Sequence, residues 1–518
     1  MVPAMTLASR SFLFLLAAWP ASAFADVKLP NVLSDHMVLQ RDAAVPIWGT
    51  AAPGEDVTVK FREQSKTATA GADGKWSVKL DALKAGGPDA LTITGKNAIE
   101  LKDVLVGDVW VGSGQSNMAG TVGSYAKGDE VLAKLAMASY PQLRFSKSGG
   151  KWSESTDKTN PGASAILFSF GVRLQQELNV PIGLMVGAVG GTPSGFWLSE
   201  EAYQADDAVK AVVKEAAAKY DPEKAKADYE KAIAKWEKDS EAAKKDNKPA
   251  PKKPFLEARP GECKGKIGNL YEAHIRPMLP FAIRGVLWDQ GESGTAITGV
   301  DQFTLMGALI KGWRKEWGQD FPFIYIQKPS GLGCAFDPSD PVTNKADKFE
   351  PLPKEVPNDG AYRLLHVKIM QHPNTYMAIA SDLGPNVHPS NKSGYGARSA
   401  RVALGAVYGK KVEIYGPMYK SHAVEGNKVR VAFDHIGQGL TPKHGDKLQG
   451  FALAGADGKF AWADAAIEGD TVVLSSQQIE KPTAVRYAFA SRHTWANLFN
   501  KDGLPALPFK TDEAPAKK

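Results

Sequence analysis

Three near-continuous apolar runs constrain this chain more than any other feature: "PIGLMVGAVGGT" (181–192), "FAIRGVLWDQGES" (281–293) and "TYMAIASDLG" (375–384). A strand with one face in water alternates apolar and polar residues, and none of the three does. Each is also short and runs into Gly, Asp or Ser, so each reads as a strand covered on both faces. Such strands belong to parallel sheets, whose members are joined by crossovers. The segment "SAILFSFGVRLQQEL" ahead of the first run has the texture of a crossover helix. The expected fold class is α/β, with functional groups at the carboxyl ends of the strands.

The flanks have a different texture. "AAVPIWGTAAPGEDVTVKF" and "GKWSVKLDAL" alternate between Gly, Pro and Asp turns, which predicts a small antiparallel β-rich region over 26–105. Alternation returns in "KVEIYGPMY", "NKVRVAF", "GFALAGADGKFAWADAAIEGDTVVLSS" and "AVRYAF", which predicts a second β-rich region over 411–518. The α/β domain then spans 106–410, since 518 residues exceed what one core usually serves. It is interrupted at about 200–255 by "DPEKAKADYEKAIAKWEKDSEAAKKDNKPAPKKP", rich in Ala, Lys and Glu. That stretch predicts one or two exposed amphipathic helices with no chemistry of their own. Residues 1–25 read as a signal peptide: Arg10 precedes the apolar "FLFLLAAWPASA", and Ala23-Phe24-Ala25 supplies small residues for cleavage. A periplasmic or secreted location is expected. The apolar run is too short to span a bilayer, and no later one is longer.

The net charge of +6 is modest for this length, and in the helical stretch basic residues lie alongside acidic ones. No nucleic-acid partner is expected. Cys263 and Cys334 are the only cysteines, open to pairing in an oxidising compartment or to remaining buried thiols. They lack the partners and spacing of a zinc site, so no metal or cofactor is expected.

Four strand ends carry the polar chemistry. In "DVWVGSGQSNMAG" (108–120) an apolar strand breaks on Gly112 and Gly114 and presents Ser116, then Asn117. In Gly190-Gly191-Thr192 the glycines free backbone N–H groups to face a ligand. "WDQGES" brings Gln290 and Glu292 off an apolar strand, and "DLGPNVHPSNKSGYGARSARVAL" follows a strand ending at Asp382 with a loop carrying His388 and then a helix. Alone, each reads as an ordinary turn or a structural histidine. Together they place a hydroxyl, an imidazole, oxyanion donors and carboxylates at one edge of one sheet, the set that acyl transfer requires.

The order Gly-Gln-Ser-Asn-Met, Gly-Gly-Thr-Pro, Trp-x-Gln-Gly-Glu-Ser and His-Pro-x-x-Lys resembles the sialate O-acetylesterase family, carbohydrate O-acetylesterases within the SGNH hydrolases. The resemblance extends to "VLSDHMVLQRDAAVPIWGTAAPGEDVTV", "NLYEAHIRPMLPFAIRGVLWDQGES" and "NLFNKDGLPALPFKTD", nearly the whole mature chain. It implies an SGNH-hydrolase-like three-layer α/β/α core with β-sandwich-like accessory regions, and metal-free removal of O-acetyl groups from acetylated sugars, sialic acid or plant-type glycans such as xylan. It implies Ser116 as nucleophile, His388 as general base, and Gly191 and Gln290 with the Ser116 N–H as oxyanion hole. Two positions depart from the family pattern. Asn386 stands where relatives carry an Asp two residues before the histidine, and Gly294 replaces an Asn. The partner orienting His388 is then Asp382, with Glu292 in reserve, or a backbone carbonyl. Two other readings remain: a carbohydrate-binding protein whose hydrolase core has weakened, and a glycosidase using Glu292 with Asp289 or Asp382 beside an exposed Trp197.

Overall fold

The structure, a computed structural model, describes residues 26–512 except 257, 329, 330, 335, 338, 341, 342 and 345. The signal-peptide reading of residues 1–25 lies outside the described residues. Six strands organise the centre: β1 (Ala98–Gly114), β2 (Tyr140–Lys147), β3 (Ile182–Ala188), β4 (Gly285–Asp289), β5 (Phe323–Ile326) and β6 (Thr375–Ala378). In space they run β6-β5-β4-β1-β3-β2, each neighbouring pair parallel, and the edge strand Ser153–Ser155 is antiparallel to β2. The three apolar runs supply β3, β4 and β6. Chain order reverses around β1, whose neighbours are β3 and β4, and such a switch point opens a crevice at the carboxyl edge.

The lack of alternation has a direct cause, since both faces of the sheet are covered. Val109, Val111, Val286, Trp288, Phe323 and Met377 join one core cluster with Leu305, Leu309 and Trp313 of a helix at Gln302–Trp317. Trp110, Leu184, Leu287, Ile324 and Ala378 join another with helices Ala165–Leu178 and Lys392–Ala406. We call these helices, with Pro222–Lys245, α1 (Ala165–Leu178), α2 (Pro222–Lys245), α3 (Gln302–Trp317) and α4 (Lys392–Ala406).

β1 ties the amino-terminal region to the centre. Its first half pairs antiparallel with Gly86–Thr94 and beside Val38–Gln40, and its second half pairs with β3 and β4. The boundary read at 105/106 therefore falls inside one strand, and a single cluster runs from Val57 and Ile93 to Trp313. Toward the carboxyl terminus, Met418–Glu425, Lys428–Asp434, Thr471–Ser475 and Asp464–Glu468 form one antiparallel sheet. A second contains Phe451–Ala454 and Ala484–Tyr487, and side chains of both meet in one cluster. The strand expected in "KVEIYGPMY" begins only at Met418. Just before it, Gly416 lies so close to Pro505 that a Cβ would come within 1.9 Å of its carbonyl oxygen, so only glycine fits there. Both cysteines are free thiols, Cys334 buried with Sγ 3.1 Å from the Ala496 carbonyl.

Candidate active site

β1 ends where the chain crosses the end of β4. Gly114 has φ +123°, and a Cβ there would lie 2.1 Å from the Asp289 carbonyl oxygen, so glycine is required. Gln115 donates its N–H to that same oxygen at 2.8 Å. One helical turn, Ser116–Ala119, follows. It carries the half-buried Ser116, whose Oγ lies 2.7 Å from Nε2 of the exposed His388. For Nε2 to accept the hydroxyl proton, Nδ1 must hold the ring hydrogen.

The glycine loop after β3 stands beside the serine: a Cβ on Gly190 would be 3.5 Å from Ser116 Cβ. Gly191 sits at φ +72°, exposed. Among the described residues, nothing accepts from the backbone N–H groups of Ser116, Gly190 or Gly191. The loop is locked from behind. Trp197 Nε1 donates to Thr192 Oγ1 at 3.1 Å, Thr192 Oγ1 donates to the Val189 carbonyl at 2.7 Å, and Gln290 Nε2 donates to the carbonyls of Thr192 (3.3 Å) and Gly294 (3.0 Å). Two sequence expectations change here. Both amide hydrogens of Gln290 are engaged, and its Oε1 accepts from Gln302 at 3.0 Å. Its side chain therefore braces the glycine loop and has no amide hydrogen left over for an oxyanion. Trp197 is fully buried, packed edge-on to Trp288 with ring centroids 6.2 Å apart, and offers no exposed sugar platform.

The carboxylates also differ from expectation. The β6 ladder stops at Ala378, because β5 has given way to a loop that still donates irregularly, from Gly331 to the Ala380 carbonyl and from Gly333 to that of Ser381. Asp382 thus lies beyond the strand, 1% exposed, and its two oxygens take a forked bond from Arg398 at 3.2 and 2.7 Å. The structure does not bring Asp382 to His388: among the described residues, His388 Nδ1 has no hydrogen-bond partner. Asn386 holds a left-handed conformation at φ +73°, which asparagine tolerates better than most residues. Glu292 instead supports the serine turn. Its oxygens receive Gln115 Nε2 at 2.7 Å and Asn117 Nδ2 at 3.5 Å, from the residues on either side of Ser116.

Behind Glu292 lies a buried charged group absent from the sequence reading. Lys328 Nζ is 2.8 Å from both Asp289 and Glu292. Burial alone would lower its pKa, but the two carboxylates outweigh it and hold the ammonium protonated. Asp289 is fully buried, and burial pushes its carboxyl pKa up. With Asp289 and Asp382 both sealed in ion pairs, neither can join Glu292 across an open cleft as a glycosidase pair. Lys392, the first residue of α4, donates to Asn117 Oδ1 at 2.6 Å. The signal for Lys328 was present, a lysine directly after the apolar "FPFIYIQ", but a strand end gives no hint of the partner it meets. Among the described residues, His36, Asp103 and Glu154 form a group with metal-ligand spacing. Arg144 already lies 2.9 Å from Asp103 and 3.6 Å from Glu154, and none of the three belongs to the loops carrying Ser116 or His388.

Residues 106–227 match the family described as "carbohydrate esterase, sialic acid-specific acetylesterase". The sialate O-acetylesterase of Homo sapiens is 26% identical over 95% of this chain and 95% of its own, and that of Rattus norvegicus is 28% identical over 79% of each. The crystal structure of a carbohydrate acetylesterase from Xanthomonas citri superposes with a TM-score of 0.71 at 30% identity, covering 94% of this chain and 99% of that one. Mixed α/β fold and relatives together define a hydrolase of the carbohydrate O-acetylesterase class. The chain belongs to the sialate O-acetylesterase family.

Proposed function

We propose that this enzyme is an exported serine esterase that removes acetyl groups from sugar hydroxyls through an acetyl-enzyme. The observation that carries the reading is the 2.7 Å contact between Ser116 Oγ and His388 Nε2 beside unengaged N–H groups. His388 takes the Ser116 proton as Oγ attacks the acetyl carbonyl, and the N–H groups of Ser116 and Gly191 receive the developing oxyanion. Collapse breaks the bond to the sugar oxygen, which leaves with the proton from His388. Water, deprotonated by the same imidazole, then releases acetate and restores the serine. On this reading the core is an SGNH-type three-layer hydrolase over 106–410 with β-sandwich-like regions at 26–105 and 411–518. The amino-terminal signal-like segment supports a periplasmic or secreted setting, with acetylated sialic acid or xylan-type glycans as substrates.

A weakened carbohydrate-binding protein is the second reading, favoured by a His388 Nδ1 that meets no acid among the described residues. A fluorophosphonate probe separates the two. Labelling at Ser116, lost in Ser116→Ala, with acetate released from a panel of acetylated glycans supports the esterase. An unlabelled, folded protein that binds those glycans without releasing acetate overturns it.

A further inference from the structure

Asn117 follows the proposed nucleophile in the chain, and Val387 precedes the proposed base. The two are joined directly: Asn117 Nδ2 donates to the Val387 carbonyl at 3.0 Å while reaching Glu292 at 3.5 Å. The other end of the amide, Oδ1, accepts from Lys392 Nζ at 2.6 Å. An amide has one donor end and one acceptor end, and only this orientation satisfies a carbonyl, a carboxylate and an amine at once. Asn117 and Lys392 are both fully buried. The Lys392 Nζ also lies 4.5 Å from the Tyr125 ring centroid and 5.0 Å from that of Tyr395, so its own position is closely held.

We infer that Lys392, acting through Asn117, is the positioning residue that replaces an orienting acid: it clamps the peptide bearing His388, where a carboxylate would hold the ring. Fixed at Val387, the loop delivers Nε2 to Ser116 Oγ while Nδ1 faces water. The inference rests on the reading of Ser116 and His388 as nucleophile and base. It also explains a costly choice of residue. Burial pushes the Lys392 pKa down to about 7, against the fields of Asp289, Glu292 and Asp129, while Lys328 opposes its charge. Asp129 is occupied by the N–H and hydroxyl of Ser393. What separates positioning from scaffolding is whether turnover falls further than stability when the amine is removed.

The test is Lys392→Met, measured as hydrolysis of a small chromogenic acetate and as thermal midpoint. The expected result is a kcat lower by roughly 10- to 100-fold, the scale of a misplacement near 1 Å, with KM changed less than about twofold. The thermal midpoint of the variant relative to the parent's should be higher at about pH 6 than at about pH 9. The sign follows from linkage: the unfolded lysine binds its proton up to about 10.5 and the folded one only to about 7, so the parent alone gains stability as pH rises between them. Asn117→Asp is the companion. It keeps an acceptor for Lys392 but presents no hydrogen to Val387, and it should show the same loss of kcat and slower fluorophosphonate labelling. Retention of kcat within about threefold in both variants overturns the inference. So does a parallel fall of kcat and thermal midpoint in both. Ser116→Ala isolates the underlying reading: turnover surviving there overturns the nucleophile assignment, whereas an inactive Ser116→Ala beside an active Lys392→Met overturns only the positioning role.

Discussion

Two loops leave the carboxyl edge of the sheet carrying acids, and they use them in opposite ways. The loop after β6 has Asp382 six positions before His388, yet that carboxylate turns inward to Arg398 and leaves the imidazole facing water. The loop after β4 has no base, yet Glu292 reaches both neighbours of Ser116, 175 and 177 residues away in the chain. Proximity in sequence placed Asp382 near the histidine without aiming it. What decides the role of a carboxylate here is the cation it meets. Arg398 matches both oxygens of Asp382 and saturates it, whereas Lys328 is shared between Asp289 and Glu292 and leaves Glu292 free to accept more.

The largest effect belongs to the groups the two loops serve. Ser116→Ala should lower acetate release by at least ~10³-fold with the thermal midpoint unchanged, His388→Ala should match it, and the double variant should lose little more. Steady-state kinetics on one acetyl ester decides this. Additive losses in the double variant would show that the two do not act as a unit.

Next come the carboxylates themselves, where the contrast can be broken outright. Asp382→Asn removes half of a buried ion pair and strands Arg398, so unfolding in denaturant should show a loss of about 3–5 kcal/mol. Wherever the protein is folded, its kcat should stay within about threefold. Glu292→Gln should do the reverse: a kcat lower by about 10- to 100-fold, because the serine turn loses its common acceptor, with a smaller change in stability. If Asp382→Asn instead lowers kcat by ~10³–10⁴ while folded, it behaves as a triad acid and the contrast collapses.

The same comparison shows what was legible in the sequence. The apolar runs named β3, β4 and β6 because coverage of both faces leaves a mark on every residue of a strand. Ser116 and His388 were visible as residue types at strand ends, and the structure brings them together. Side-chain commitments were not visible. Gln290, Asp382 and Trp197 each sit where a functional group was expected, and each is turned to partners that a strand-end pattern does not announce: Thr192 and Gly294, Arg398, and Trp288. Lys328 and Lys392 act through partners 36 and 275 residues away. Local pattern carries no information about pairing at that range. The length of β1 was hidden for a related reason: its two halves have different textures because one is covered on one face and the other on both.

A smaller effect probes the packing behind Glu292. His366 is fully buried against Gly291 and Lys328, both ring nitrogens lack hydrogen-bond partners among the described residues, and burial, then Lys328, lowers its pKa to about 3. The unfolded chain binds that proton from about pH 6.5 downward and the folded one does not, so stability is complete above about 6.5 and is lost as pH falls toward 3. His366→Leu should flatten this acid limb by about 3–5 kcal/mol in denaturant titrations between those pH values. An unchanged limb would mean that the imidazole finds a proton acceptor when folded.

The smallest effect is expected from the charged insertion, and it tests whether the β4 loop owes its shape to anything outside the core. Residues 200–245 form helices Glu200–Ala205, Asp207–Lys219 and α2. The first two are anchored: Tyr203 and Val209 are buried, and Asp206 is 3.0 Å from Lys311 on α3. α2 has no buried residue at all, and Trp236 finds its partner in the returning chain, donating to the Pro251 carbonyl at 2.7 Å. With so little apolar area taken from water, its removal forfeits almost nothing. Asp221, where the replaced segment begins, lines one cavity with Pro260, a few residues past its end, and with Thr298 and Gly299, just beyond the Glu292 loop. Replacing residues 222–252 by a short Gly-Ser linker should leave kcat on a small acetate within about twofold and the thermal midpoint within about 2 °C. A folded variant with kcat down tenfold or more would place α2 in the support of the β4 loop, and the contrast between the two acid loops would then have to include the insertion.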